Sequence, residues 1–71
     1  MKYHYNYSKL LGKLRELGLT QLELATKIGL SETGLSAKLK NKSEFKQSEM
    51  LKIVDIIGES PATVEMYFFN H

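Results

Sequence analysis

The sequence contains no cysteine and no tryptophan, and its 71 residues include a single proline. The absence of cysteine excludes disulfide bonds and metal sites built on thiolates. The two histidines stand at positions 4 and 71, which is far from any spacing used by metal ligands. We therefore expect no metal and no cofactor. Without disulfides or a metal, a domain this small depends on its apolar core or on association for stability.

Long hydrophobic runs are also missing, because no apolar stretch approaches the ~20 residues that span a membrane. No signal-peptide pattern opens the chain. The sequence has no paired carboxylates at active-site spacing and no glycine-rich phosphate-binding loop. His4 and Ser8 are close along the chain, but a terminal segment does not preorganise a nucleophile. We expect a cytoplasmic protein that is not an enzyme and does not contact a membrane.

The formal net charge of +2 hides an uneven distribution. Residues 1–46 carry nine lysines and arginines against four acids, whereas residues 47–71 carry one lysine against four acids. A basic first part and an acidic second part are typical of a domain that presents one face to a polyanion. Chance asymmetry in a small domain is the alternative interpretation.

The hydrophobic periodicity is helical throughout, with no alternating segment of useful length, so the sequence predicts an all-α single domain over residues 1–71. Leucines 10, 11, 14 and 17 share one face of a first helix that ends before Gly18. Further on, a fourth helix is expected over about residues 47–57, with Met50, Val54 and Ile57 facing inward. The pair Ser60-Pro61 is a helix start signal and predicts a short fifth helix through about Phe68. In the loop before the fourth helix, Phe45 is expected to fill the core.

The segment QLELATKIGLSETGLSAKL, residues 21–39, is the most informative part of the chain. Thr20 and Glu23 form a capping-box pattern that starts the second helix, and Gly29 ends it. Ser31 is a cap for the third helix. Two short helices joined by a tight turn at this spacing predict a helix-turn-helix, whose second helix enters the major groove of DNA.

Five residues of this segment carry a resemblance to the lambda-repressor-like helix-turn-helix family, which includes phage repressors and Cro proteins: Gln21, Ala25, Gly29, Leu30 and Leu35. The stretches NYSKLLGKLRELGLTQLELA and SEFKQSEMLKI resemble small repressor-type proteins of phages of Gram-positive bacteria. The resemblance implies a compact five-helix domain with the motif at helices two and three. It also implies a location in the bacterial cytoplasm, at the nucleoid. One departure concerns Lys38, which stands where the family places a core residue; Leu39 follows, so the third helix is expected to be one residue longer.

The resemblance assigns DNA contacts to two sets of residues. The base-contacting set is Ser31, Glu32, Thr33 and Ser36. Hydroxyl and carboxylate groups can read base edges, although a carboxylate in the groove is repelled by phosphates; Glu32 is therefore either a base reader or a stabiliser of the helix N-terminus. The phosphate-contacting set, in which the cluster KLKNKSEFK is prominent, is Gln21, Lys38, Lys40, Asn41, Lys42 and Lys46. A solubilising charged loop is the alternative for this cluster. Lys9 and Lys13 are weaker candidates for phosphate contact.

The two ends of the chain are rich in aromatic residues. Four large side chains in a row, Met66, Tyr67, Phe68 and Phe69, cannot all face one core, which predicts a weak homodimer through the C-terminal helix. The alternative is that Tyr67 and Phe68 close the core of the monomer over Leu14 and Val54. At the other end, tyrosines 3, 5 and 7 predict an irregular arm that lies over the helices or is ordered by DNA or another subunit, and residues 1–6 are expected to be flexible.

Together these features predict a sequence-specific double-stranded DNA-binding regulator of transcription of the phage type, a repressor or Cro-like protein that occupies an operator. The alternative is a protein-binding antirepressor or modulator that uses the same fold to bind another phage regulator. Glu32, and the lack of arginine, asparagine and glutamine on the third helix, favour this alternative.

Overall fold

The computed structural model describes residues 4–69. Their helices are α1 (Ser8–Leu17), α2 (Gln21–Ile28), α3 (Glu32–Leu39), α4 (Gln47–Ile56) and α5 (Val64–Phe68), and a single 3₁₀ turn (Pro61–Thr63) precedes α5. No strand occurs in this part of the chain. The predicted all-α fold with five helices is therefore confirmed.

Glycines in the left-handed conformation separate the first helices. Gly18 (φ 72°) ends α1 and Gly29 (φ 80°) ends α2, so each helix stops where the sequence predicts. A residue with a Cβ is strained at such φ values, which explains why glycine is used. The end of α4 lies one residue before the predicted position, at Ile56.

One apolar core joins all five helices. Helix α2 packs against α3 and α4, while α5 closes the bundle against α1 and α4. The fully buried side chains at its centre are Leu10, Leu24, Leu35, Ile53, Val54 and Phe68. Phe45 is buried, as predicted, and its ring makes an edge contact with Phe68 at 5.0 Å between centroids. Leu17 departs from the predicted inner face of α1 and is exposed.

The N-terminal segment is partly built into this core. Tyr7 is buried and its ring contacts both Phe45 and Phe68. Burial raises the pKa of the Tyr7 phenol, and the nearby Tyr5 and Glu44 add to the effect. The predicted arm covers residues 1–6; its first three residues, including Tyr3, lie outside the described part, and its flexibility stays a prediction.

Candidate functional site

The start of α2 is fixed by a reciprocal pair of hydrogen bonds. The Thr20 Oγ1 accepts from the Glu23 N–H at 3.1 Å, and the Glu23 carboxylate accepts from the Thr20 N–H at 3.0 Å. These bonds lower the pKa of Glu23, the backbone N–H of Thr20 contributing most. The predicted capping box is therefore present, and it places Gln21, which is exposed, at the first turn of α2.

The turn between α2 and α3 is short and is fixed by hydrogen bonds. After Gly29, the Leu30 N–H donates to the Ala25 carbonyl at 2.9 Å. Ser31 then caps α3, because its Oγ accepts from the Gly34 N–H at 3.0 Å. Ala25 and Leu35 are both fully buried. A small residue on α2 and a leucine on α3 thus hold the two helices together and turn the opposite side of α3 outward.

The outward side of α3 lines a shallow depression that we call the α2–α3 face. The residues that line it are Gln21, Glu32, Thr33, Ser36, Ala37, Lys40 and Lys42. Six of these seven were predicted as DNA contacts from the sequence, and Ala37 is the addition. Four other predicted contacts, namely Ser31, Lys38, Asn41 and Lys46, do not line this face. Ser31 and Lys46 are exposed beyond its edges.

Lys38 has a role that the sequence did not predict. Its ammonium group lies 3.1 Å from the Glu49 carboxylate and donates to the Glu44 carbonyl at 2.8 Å. It also lies 5.9 Å from the centre of the Phe45 ring. Only 12% of the Lys38 side chain is exposed, so we correct its assignment from phosphate contact to internal ion pair. This pair joins α3 to the start of α4 and to the loop between them.

Glu49 is the partner in this pair and is the buried acid of the core. Burial raises its pKa, but the Lys46 N–H at 2.8 Å and the Lys38 ammonium outweigh burial and hold the pKa below the usual range. Sequence reasoning missed Glu49. The available signal was its place as the third residue of a helix, where a glutamate accepts from the N-cap backbone.

Asn41 also has an internal role in place of the predicted phosphate contact. Its φ of 63° lies in the left-handed region, which asparagine adopts more readily than most residues. Its Oδ1 accepts from the Tyr5 N–H at 2.8 Å and its Nδ2 donates to the Tyr5 carbonyl at 3.0 Å. This two-point contact, the Asn41 clamp, ties the N-terminal segment to the end of α3.

The C-terminal aromatic run divides between the core and the surface. Tyr67 and Phe68 are buried within the monomer, so they are not available for the predicted dimer interface. Burial instead agrees with the alternative, in which they close the core. Met66 and Phe69 remain about two-fifths exposed, and the Phe69 ring meets Tyr5 at 5.7 Å between centroids. The dimer prediction thus stays open for these two residues alone.

Other features of the described residues bear on function. Leu22, next to Gln21 on α2, is the most exposed large apolar residue at 54%. No cluster of histidine and acidic side chains in residues 4–69 could hold a metal ion. None of the helices described is long and apolar enough to cross a membrane.

Comparison with known proteins identifies a family and a similar solved structure. Residues 3–71 match the family described as "Protein of unknown function (DUF739)". The chain is also similar to the modulator of repression (MOR) of the temperate bacteriophage TP901-1 from Lactococcus lactis, known from its solution structure. The identity is 44%, the match covers 93% of this chain and 89% of that one, and the TM-score is 0.76. Among curated proteins, none matches the chain. These findings support similarity to a small phage regulator of a Gram-positive host.

Proposed function

We propose that this chain, which belongs to the DUF739 family, is a phage regulatory protein that binds another regulator of transcription through its α2–α3 face. In this proposal it modulates repression by protein contact, and it does not itself occupy an operator. The action takes place inside the bacterial host and involves no catalysis.

The residue composition of the α2–α3 face is the main support for this proposal. The residues of α3 that line this face are Glu32, Thr33, Ser36 and Ala37. None is an arginine, asparagine or glutamine, the side chains that make bidentate contacts with guanine or adenine. Glu32 is exposed at the front of the helix, where the phosphates of a duplex would repel it. The cation of α3, Lys38, is engaged with Glu49.

An exposed apolar residue on α2 also suits a protein partner. Leu22 exposes half of its side chain beside Gln21, although an apolar group gains nothing from a phosphate backbone. A partly exposed leucine is instead compatible with a packed contact between proteins. The similarity to MOR adds support, since that protein is named a modulator of repression.

The test uses the transcriptional repressor encoded in the same phage or prophage genome as this chain. Gel shifts are run with the repressor's operator, with this chain alone, with the repressor alone and with both proteins. We expect no shift by this chain alone in the presence of competitor DNA, and a changed repressor shift when both are present. A specific shift by this chain alone, with no effect on the repressor, would contradict the proposal.

A matched pair of variants locates the contact. Ser36→Tyr places a large ring in the middle of the α2–α3 face, and Lys52→Tyr places the same ring on an exposed position of α4. We expect Ser36→Tyr to abolish the effect on the repressor and Lys52→Tyr to preserve it. Circular dichroism and melting curves show whether both variants fold. If folded Ser36→Tyr acts like the native chain, the contact lies elsewhere.

Direct DNA binding is the second candidate, and Lys40 and Lys42 favour it. Both are exposed cations at the end of α3, beside Gln21. If this candidate holds, log affinity for duplex DNA falls with log salt, and each phosphate contact contributes roughly −0.9 to the slope. Two lysines would give a slope near −2, and Lys40→Ala would reduce it by about one. Thr33→Ala and Ser36→Ala would change sequence preference more than affinity.

A further inference from the structure

The charges of the α2–α3 face are arranged with opposite signs at its two ends. Glu32 is exposed in the first turn of α3, and Lys40 is exposed directly after its last residue. Eight residues at 1.5 Å each separate them by ~12 Å along the helix axis. Neither side chain forms an ion pair with any residue in the described part of the chain.

The middle of the same face is made of small side chains. Ser36 lies midway between Glu32 and Lys40, and Ala37 follows it. Both are half-buried and both line the depression. Small residues at a crossing point let two helices approach to the short end of the usual ~8–10 Å spacing. At that spacing, long side chains at the ends of the helices can reach across to one another.

This arrangement is complementary to itself. A two-fold axis that passes beside Ser36 brings Glu32 opposite Lys40 of a second copy, and Lys40 opposite Glu32 of that copy. Symmetric interfaces use one patch twice in this way. A parallel arrangement would instead place like charges together. The charge order thus selects an antiparallel pair of α3 helices.

We propose that the α2–α3 face docks on the same face of a second copy of this chain, with the two α3 helices antiparallel and two Glu32–Lys40 pairs across the axis. The contact is weak, because one helix face is smaller than the ~1,200 Å² that stable specific interfaces bury. Exposed ion pairs add little and are screened by salt. The dimer is therefore expected at high protein concentration and low salt.

Self-docking would also limit the proposed function, on which this step rests. The face that would bind another regulator is covered in the dimer, so self-association and partner binding exclude each other. Only the monomer would be active, and its active fraction would fall as the chain accumulates.

Charge-reversal variants test this docking by sedimentation equilibrium at up to millimolar protein, in ~20 mM and ~500 mM salt. Glu32→Lys places lysines opposite lysines, and Lys40→Glu places acids opposite acids, so each variant alone should associate roughly five- to tenfold more weakly than the native chain. An equimolar mixture of the two variants restores opposite charges at both pairs. We expect the mixture, and the double variant E32K/K40E, to associate at least as well as the native chain.

Phe69→Ser is the control for a dimer through the C-terminal residues. We expect it to associate like the native chain, and we expect high salt to dissociate both. A native chain that stays monomeric at millimolar concentration in low salt would overturn the inference. So would a mixture of Glu32→Lys and Lys40→Glu that associates no better than either variant alone, or association that Phe69→Ser abolishes.

These outcomes are independent of the repressor test. If the dimer is absent while the repressor is still affected, only the self-docking inference fails. If the dimer forms and the repressor is unaffected, the proposed function fails.

Discussion

At the scale of single residues, two side chains predicted to touch DNA hold the domain together. The phosphate prediction for Lys38 and Asn41 rests on the basic cluster at the end of the third helix and in the loop that follows it. The structure turns Lys38 towards Glu49 and Asn41 towards Tyr5. A sequence shows the charge of a side chain but not which way the side chain points. The partners, Glu49 and Tyr5, are also not neighbours of Lys38 and Asn41 along the chain. The clamp between Asn41 and Tyr5 spans 36 positions.

The Lys38–Glu49 pair leads to a prediction about stability and pH. Glu49→Gln keeps an acceptor for the Lys46 N–H but removes the charge that faces Lys38. At pH 7 we expect a loss of about 1.5–3 kcal/mol in the free energy of unfolding, the range for hydrogen bonds to charged groups. The folded-state pKa of Glu49 lies below its ordinary value. The carboxylate therefore stabilises the fold above the ordinary glutamate range of about 4.3, and this contribution is lost as pH falls through the folded-state pKa.

Denaturant melts of the native chain and of Glu49→Gln at several pH values measure this difference. The control is Glu44→Gln, because Glu44 is exposed and offers only its backbone carbonyl to Lys38. A difference between native and Glu49→Gln that does not shrink in acid, or an equal loss in Glu44→Gln, would be incompatible with the ion pair.

The Asn41 clamp leads to a prediction about local opening. Asn41→Gly tolerates the left-handed backbone and removes both hydrogen bonds to Tyr5. Loss of a hydrogen bond of ~1 kcal/mol should speed hydrogen exchange at the Tyr5 amide roughly five- to tenfold. The Leu35 amide, which donates to the Ser31 carbonyl inside the motif, serves as the internal reference and should be unchanged. Unchanged exchange at Tyr5 would show that other contacts hold this segment.

At the scale of the elements, the sequence predicted most of what the structure shows. Caps and stop signals act within a few residues, so the starts of α2 and α3 and their glycine boundary could be read from the chain. The division of residues 66–69 into two buried and two exposed side chains could not be predicted, because periodicity does not show which of four large neighbours a core can hold. Ile53 and Tyr7 were missed as core residues for the same reason: burial depends on packing between distant helices.

The capping box of α2 gives the prediction at this scale. Thr20→Ala removes the side-chain acceptor for the Glu23 N–H, and such a loss costs about 1 kcal/mol. Thr26→Ala is the matched control, since Thr26 lies inside the same helix and its hydroxyl bonds the Leu22 carbonyl. Alanine suits a helix interior better than threonine, so we expect little loss there. Equal melting temperatures for the two variants would mean that the cap does not stabilise α2.

At the scale of the whole molecule, the fold alone does not determine what the protein binds. The sequence predicted a helix-turn-helix fold; in the structure α2 and α3 pack against each other across a short connection that begins at Gly29. A helix-turn-helix scaffold does not by itself specify what its outer face binds, and the chemistry of that face decides. Here the face combines Glu32 with small side chains and two lysines, and its α3 residues include no arginine, asparagine or glutamine. The similarity to a modulator of repression points the same way.

Whether the α2–α3 face binds a regulatory protein can be measured by amide chemical-shift mapping. The labelled chain is titrated at physiological salt, first with operator duplex and then with the repressor from the same phage. We expect the repressor to change the chemical shifts of the Glu32, Ser36 and Lys40 amides, and the duplex to leave these shifts unchanged. Perturbation of these amides by the duplex, or a repressor complex that leaves them unperturbed, would contradict it.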